Sequence, residues 1–399
     1  MGGCERENVS LDIQVEIIYK RLPMRILYIS NSSSVGGAPA ALYNIIEDLC
    51  KRHEVAVVLP DSNGPLNARL EALGVKCYNS MPYSLTIWPR VINPLKYAKR
   101  LKTLLCDLPK ARAYVAGVID EFRPDLVHTN VGPLDLAFAE CQKRGIPHLW
   151  HLREYQAGMK FFPSESEFRR RVAKSSVVAL TRCVADFWGV DAPVVYDGVF
   201  KDSSVSEPDF SSDREKFFLF VGRVEKNKGL MDLLRAFKAV SDDLPEYRLK
   251  VVGAPSLLYS LLCRVYVRVF GLRVDFLGTR SDVPELMARA SAYVMSSQTE
   301  GFGFTTVEAM LAGCPVIGRK TTGTAEIMES GKAAKGQRVA LSYETDDELA
   351  DGLRLAALSR DDGDELLSMR RRAFDFAVTS YGTRRNVEQI EKIYEDLVK

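Results

Sequence analysis

SAYVMSSQTEGFGFTTVEAMLAGCPVIG, residues 291–318, carries the punctuation of one strand–loop–helix–strand unit. SAYVMSS (291–297) is a short apolar run of strand type, followed by the loop QTEGFGF. A helix then enters near Thr305 or Thr306, either of which can cap it, and PVIGR (315–319) restarts a strand. Two acids bracket the loop. Glu308 falls in the first turns of the helix, where the helix dipole alone favours a carboxylate, but Glu300 precedes the helix and has no such reason. Gly301 and Gly303 permit unusual torsions and close backbone approach, while Phe302 and Phe304 can wall a ligand off from water. Carboxylates accept from vicinal hydroxyls and exposed N–H groups donate to sugar or phosphate oxygens, so the loop suits a polyhydroxyl ligand.

The same alternation extends in both directions. Upstream, RILYIS (25–30), EVAVVLP (54–60), DLVHTN (125–130), PHLWHL (147–152) and SSVVAL (175–180) form one series of apolar runs separated by helical patterns. KDSSVSEPDFSSD (201–213) interrupts them with turn formers and little apolar content. FFLFVG (217–222), RLKVVG (248–253) and VDFLG (274–278) then begin a second series that runs through the opening stretch. Strands alternating with helices give parallel sheets, so the expected class is α/β with two Rossmann-like domains facing an inter-domain cleft. The expected divisions are an N-terminal extension (1–23), a first lobe (24–200), a linker (201–213), a second lobe (214–372) and closing helices (373–399). In the last of these, Val387, Ile390, Ile393, Tyr394 and Leu397 share one face. The extension is compatible with a disordered lead, an extra helix or an over-long start.

A chain of 399 residues with 46% hydrophobic and 27% charged residues has enough apolar content for two cores. Its 54 basic and 52 acidic residues leave a formal charge of +2, which argues against nucleic acid as a partner. The eight cysteines include no C-x-x-C pair, so a reduced, cytoplasmic protein without a zinc site is expected. Neither a signal peptide nor a membrane span is legible. The only D-x-D, Asp362-Gly363-Asp364, sits in a polar loop far from any expected strand end, and no metal site is assigned to it.

EGFGFTTVE, with its Glu-x7-Glu spacing, and EAMLAGCPVIG after it resemble the retaining nucleotide-sugar glycosyltransferases of family four, which have the two-lobed GT-B fold. VGRVEKNKGLMDLLRAFKAV resembles that family's phosphate-binding segment, and VDFLGTRSDVPELMARASAYVMSS its approach to the base. The resemblance implies a nucleoside-diphosphate sugar donor, no cofactor and no metal. Glu308 would hold the ribose, and Glu300 with the amides of Gly301, Phe302, Gly303 and Phe304 the donor sugar and diphosphate. Arg223 and Lys228 would stabilise the leaving diphosphate, with Gly222 and Arg280 completing the donor site. SVGGAPAAL resembles the family's glycine loop, although Gly36 and Gly37 are equally explained by a turn that needs permissive torsions. His128 and Asn130 lie in DLVHTN, where the family often has a histidine at the place of Asn130, so a cleft role and a plain strand role both stay open. LWHLREY resembles a stretch of enzymes that build bacterial capsule and exopolysaccharide, which makes His151, Arg153 and Glu154 candidate cleft residues.

Between Arg90 and Arg112 seven Lys or Arg face one acid, Asp107, with Leu95, Ala98, Leu101 and Leu105 at helical spacing. Such a helix is either a solvated surface helix or a contact with an anionic membrane surface. The acceptor implied by the resemblance is lipid-linked or a saccharide, which places the protein in the cytoplasm, peripheral on the inner face of the cell membrane. Two other functions fit the same fold, a nucleotide-sugar epimerase and a non-catalytic sugar-nucleotide-binding subunit. An epimerase needs no acceptor, and a non-catalytic subunit would show a degraded donor segment.

Overall fold

The computed structural model describes residues 23–399 except 35, 92, 156–158, 212–213 and 360–364. The expected extension therefore lies outside the described residues but for Pro23, and so does Asp362-Gly363-Asp364.

Two six-stranded parallel sheets form the molecule. The first contains β1 (Arg25–Ile29), β2 (Glu54–Val58), β3 (Lys76–Tyr78), β4 (Leu126–Thr129), β5 (His148–Leu152) and β6 (Ser176–Ala179), in the order β3-β2-β1-β4-β5-β6. The second contains β7 (Glu215–Val221), β8 (Arg248–Val252), β9 (Val274–Gly278), β10 (Ala290–Met295), β11 (Val316–Arg319) and β12 (Leu341–Tyr343), in the order β12-β11-β10-β7-β8-β9. The two orders are the same once each lobe is numbered from its own first strand. Helices cover both faces, and the central strands accordingly read as unbroken apolar runs: every residue of β10 is buried. Strand order reverses between β1 and β4 and again between β7 and β10, and each reversal opens a crevice beyond the strands' carboxyl ends.

β3 and β12 are three-residue edge strands. Neither was legible in the sequence, because three residues cannot display a period and an edge needs little apolar surface. A second difference concerns the helix after β10. It begins at Phe304, with Gly303 as its N-cap at φ 110 and no side-chain cap, so neither Thr305 nor Thr306 caps it. The hydroxyl of Thr305 instead meets that of Tyr293 at 2.6 Å.

The long helix Pro94–Phe122 also departs from expectation. Its buried face begins at Leu104 and continues through Leu108, Ala111 and Val115. Leu95 is 82% exposed and Leu105 49%, so the predicted apolar stripe is not packed beneath the basic one. The first turns simply run past the edge of the core.

At the other end of the chain, the helix Thr383–Val398 leaves the second lobe and packs on the helix Gly37–Leu49 of the first. Val387, Ile390 and Tyr394 enter the first lobe's core, with Ile393 and Leu397 at its margin. Among the described residues, no helix is long and apolar enough to cross a membrane.

Candidate functional site

The loops leaving β7 and β10 form one wall of the cleft. Gln298 N–H donates to the Asn227 carbonyl at 2.8 Å, and the Ser296 hydroxyl donates to the Lys228 carbonyl at 2.9 Å. These bonds hold Lys228 beside Glu300, and Nζ lies 2.6 Å from Oε1 with both side chains mostly enclosed. Glu300 is fixed from behind as well, its N–H donating to the Thr322 hydroxyl at 2.8 Å and its carbonyl accepting from Gly323 N–H at 3.1 Å. Thr322 adopts φ 45, a strained setting for a β-branched residue. Arg223 is exposed and pairs with Glu225 at 3.0 Å.

Gly301 faces the first lobe so closely that a Cβ there would lie 2.5 Å from the Arg153 carbonyl oxygen. Gly303 needs its absent side chain for a different reason, the left-handed φ that starts the helix Phe304–Leu311. The ring of Phe302 is 2% exposed and packs against Tyr196 and Tyr381, so it anchors the loop in the core while the residue borders the cleft. Phe304 is half-buried, edge-on to Phe302.

The opposite wall comes from the first lobe. Gly37 opens the helix Gly37–Leu49, and a Cβ on it would sit 3.2 Å from the Phe304 ring. Gly36 has φ 161, extended backbone that any residue adopts, so the reading of this pair as a torsion-demanding turn fails at Gly36. Arg153 is buried. It forms an ion pair with Asp197, donates through Nε to the Asn130 side chain at 3.1 Å and lies 3.2 Å from His151 Nδ1. Burial pushes the Asp197 carboxyl up, and the Arg153 guanidinium opposes that shift.

Behind this pair the His128 and His151 rings lie 5.4 Å apart. Burial first and Arg153 second hold both imidazoles well below their usual pKa, so both are neutral. His128 Nδ1 meets the hydroxyl of Tyr394, which comes from the terminal helix. His128, Asn130 and His151 thus support the wall from within and do not line it. Glu154 does line it. Its carboxylate accepts from Gly132 N–H at 3.2 Å, and burial pushes its pKa up to about 7.

The two walls enclose about 370 Å³ lined by Gly37, Ala38, Arg153, Glu154, Asp197, Gly222, Arg223, Lys228 and residues 300–305. Glu308 opens into an adjoining cavity of about 520 Å³ with Val283, Pro284 and Met287, and Val221 borders both spaces. Glu308 keeps solvent exposure, while partial burial of its carboxyl raises the pKa. Arg280 borders neither space; it is exposed and paired with Asp282 at 2.6 Å. A larger cavity of about 900 Å³, beside the helices Thr322–Lys335 and Asp346–Leu358, shares no lining residue with the cleft.

Three functional contacts had no signal in the sequence: Asp197, Thr322 and Glu326, whose carboxylate accepts from Arg182 and Cys183 N–H across the lobes at 2.7 and 2.9 Å. Each is a single polar residue whose partner is distant in sequence. Among the described residues no group of three or more His, Cys, Asp or Glu is placed to hold a metal ion.

Two features of the cleft favour an anion. The N-termini of two helices, Gly37–Leu49 and Phe304–Leu311, converge on it from opposite lobes, and Lys228 and Arg223 stand beside them.

Two family models match the chain, one over each lobe. The profile described as glycosyl transferases group 1 matches residues 205–373, and that of a glycosyl transferase 4-like domain matches residues 36–193. Among curated relatives, the N-acetyl-alpha-D-glucosaminyl L-malate synthase of Bacillus anthracis is 26% identical over 192 residues, 47% of each chain. The match thus spans about half that relative's length. The GalNAc-alpha-(1->4)-GalNAc-alpha-(1->3)-diNAcBac-PP-undecaprenol alpha-1,4-N-acetyl-D-galactosaminyltransferase of Campylobacter jejuni is 24% identical over 72% of this chain and 77% of its own. Among solved structures, Anabaena Alr3699/HepE in complex with UDP superposes with a TM-score of 0.72 at 21% identity, covering 94% of this chain and 100% of that one.

Proposed function

We propose that this chain, whose two lobes match the models of group 1 glycosyl transferases and of a glycosyl transferase 4-like domain and share the GT-B fold, moves a sugar from a nucleoside-diphosphate sugar to a hydroxyl of a glycolipid or polysaccharide-precursor acceptor. The observation that carries this reading is the meeting of two helix N-termini and two cations at one cleft between the lobes. A diphosphate seated there gains from backbone N–H groups of both lobes and from Lys228 and Arg223, and the gain grows as the phosphate takes on charge in leaving.

The two adjoining spaces suit the two ends of such a donor. Glu308 accepts from ribose hydroxyls in the outer cavity, with the base against Val283 and Pro284. Gly222 lets the chain pass the diphosphate closely, and the amides of residues 301–304 donate to it. Glu300, oriented by Lys228, accepts from the donor sugar's hydroxyls. The acceptor oxygen attacks the anomeric carbon from the face that the phosphate leaves. The carbon–oxygen bond to phosphate breaks, and the acceptor's proton passes to a phosphate oxygen, which retains the anomeric configuration.

Arg223 and Lys228 supply the charge stabilisation that a metal ion supplies elsewhere, so transfer persists after exhaustive chelation. The acceptor enters beside Gly37 and Glu154, with Arg153, Asn130, His128 and His151 keeping that wall in place. The basic segment at 90–112 holds the first lobe at an anionic membrane surface, the inner face of the cell membrane, where a lipid-linked acceptor is available.

A thermal-shift screen of nucleoside-diphosphate sugars tests the donor assignment. One donor should raise the melting temperature by mass action. Glu308→Gln should weaken that donor's binding by about tenfold or more, and Lys228→Ala should lower turnover by about a hundredfold or more. A folded Glu308→Gln protein that binds the donor as well as the parent would refute the ribose assignment. The absence of any stabilising nucleotide sugar would refute the whole reading.

A further inference from the structure

The helix Leu257–Val269 is apolar on both sides, and among the described residues only one side has a partner. Ser260 and Cys263 are buried, and Tyr259 and Tyr266 pack on the second lobe's core. On the opposite side Leu257 is 87% exposed, Leu258 79%, Leu261 59%, Leu262 56%, Val265 50% and Val269 69%. At about 100° per residue, these six fall within an arc of about 140°. The neighbouring helix Leu230–Val240 shows what a covering helix usually presents to water, with Asp232, Arg235 and Lys238 on its outer side.

Of the thirteen large hydrophobic residues exposed among those described, seven lie between Leu257 and Phe270, so the exposure is one patch. Charge is arranged just as unevenly. Between Glu246 and Asp275 the chain contains no acid, and Arg264 and Arg268 border one edge of the apolar arc. Arg264 lies over the Phe276 ring at 4.3 Å, and among the described residues neither arginine has a carboxylate partner.

We propose that this face seats the second lobe on an anionic lipid bilayer, with the leucine and valine side chains entering the headgroup–acyl boundary and Arg264 and Arg268 on lipid phosphates. An apolar face bordered by arginines and free of acids has the character of an interfacial helix. A second copy of the chain fits less well. Pairing this face with itself brings two arginine edges together with no acid on either helix to neutralise them, whereas anionic headgroups supply the missing charge. The inference extends the membrane part of the proposed function from the first lobe to the second.

The two contacts separate by salt. Charge-driven binding through 90–112 collapses at about 1 M salt, where the Debye length is about 3 Å, whereas apolar insertion persists. In sedimentation of the full chain with phosphatidylcholine–phosphatidylglycerol vesicles, Leu258→Gln/Leu262→Gln should lower the salt-resistant binding by about tenfold or more without lowering the melting temperature. Lys96→Gln/Lys99→Gln/Arg100→Gln/Lys102→Gln should remove only the salt-sensitive part. Leu261→Trp should add fluorescence that brominated lipid quenches.

Salt-resistant binding unchanged in the leucine double variant, or a Trp at 261 left unquenched on bound protein, would overturn the proposal. So would a lipid-free dimer that shields position 261, because it would assign the face to a second copy. Donor binding is measured separately, so failure here leaves the transfer reaction standing.

Discussion

Glu154 is a carboxyl group on the cleft wall whose pKa is pushed from 4.5 up to about 7, chiefly by burial. As pH rises through that interval, the unfolded chain gives up its proton first and the folded protein retains more of its own, so stability falls. Above pH 7 the cost reaches about 3 kcal/mol. Glu154→Gln cannot ionise and should stabilise the protein relative to the parent at pH 8, with the gain fading toward pH 4.5. Urea midpoints at the two pH values check this, and a gain equal at both would mean the carboxyl is not held in its neutral form. Glu300 was legible as a candidate because an acid ahead of the helix has no dipole reason to be there, whereas Arg223, Lys228 and Glu154 became candidates through the family resemblance of their segments. Asp197 was not, since nothing near VVYDGVF announces that Arg153, 44 residues earlier, turns its guanidinium onto it.

Helix Pro94–Phe122 shows what periodicity conveys about an element and what it omits. Its helical character and basic composition were readable, but its buried face was misplaced: the core begins at Leu104, leaving Leu95 and Ala98 exposed among Lys96, Lys99, Arg100 and Lys102. Spacing identifies residues that share a face without saying how far along the helix the sheet extends. An unpacked basic turn of this kind is free to meet a surface, at about 1 kcal/mol per basic residue near an anionic membrane. Changing Lys96, Lys99, Arg100 and Lys102 to glutamine should therefore cut sedimentation with anionic vesicles at low salt by at least about tenfold while the thermal transition stays in place. Equal sedimentation of variant and parent would leave these turns as an ordinary solvated helix end.

Contacts between the lobes set the width of the cleft. Glu326 of the second lobe accepts from the first two N–H groups of the helix Arg182–Trp188 and from the Tyr196 hydroxyl at 2.9 Å. This carboxylate at a helix N-terminus contributes on the order of 1 kcal/mol to the lobes' association. Glu326→Ala should speed hydrogen exchange at the amides of Arg182 and Cys183 by about fivefold and leave β1 and β7 unchanged. Exchange that is unaltered at those two amides would show that Glu326 is no latch. At this scale the sequence by itself determined the α/β class, the two parallel sheets and the loops in which the charged residues concentrate, because strand runs and turn residues are local signals. Only the tertiary structure decided that Gly301 abuts Arg153, that Glu300 and Glu308 open into adjoining spaces, and that Tyr394 returns from the last helix to His128. Each joins residues far apart in the chain, and such juxtapositions follow from strand order and lobe packing, which no local pattern encodes.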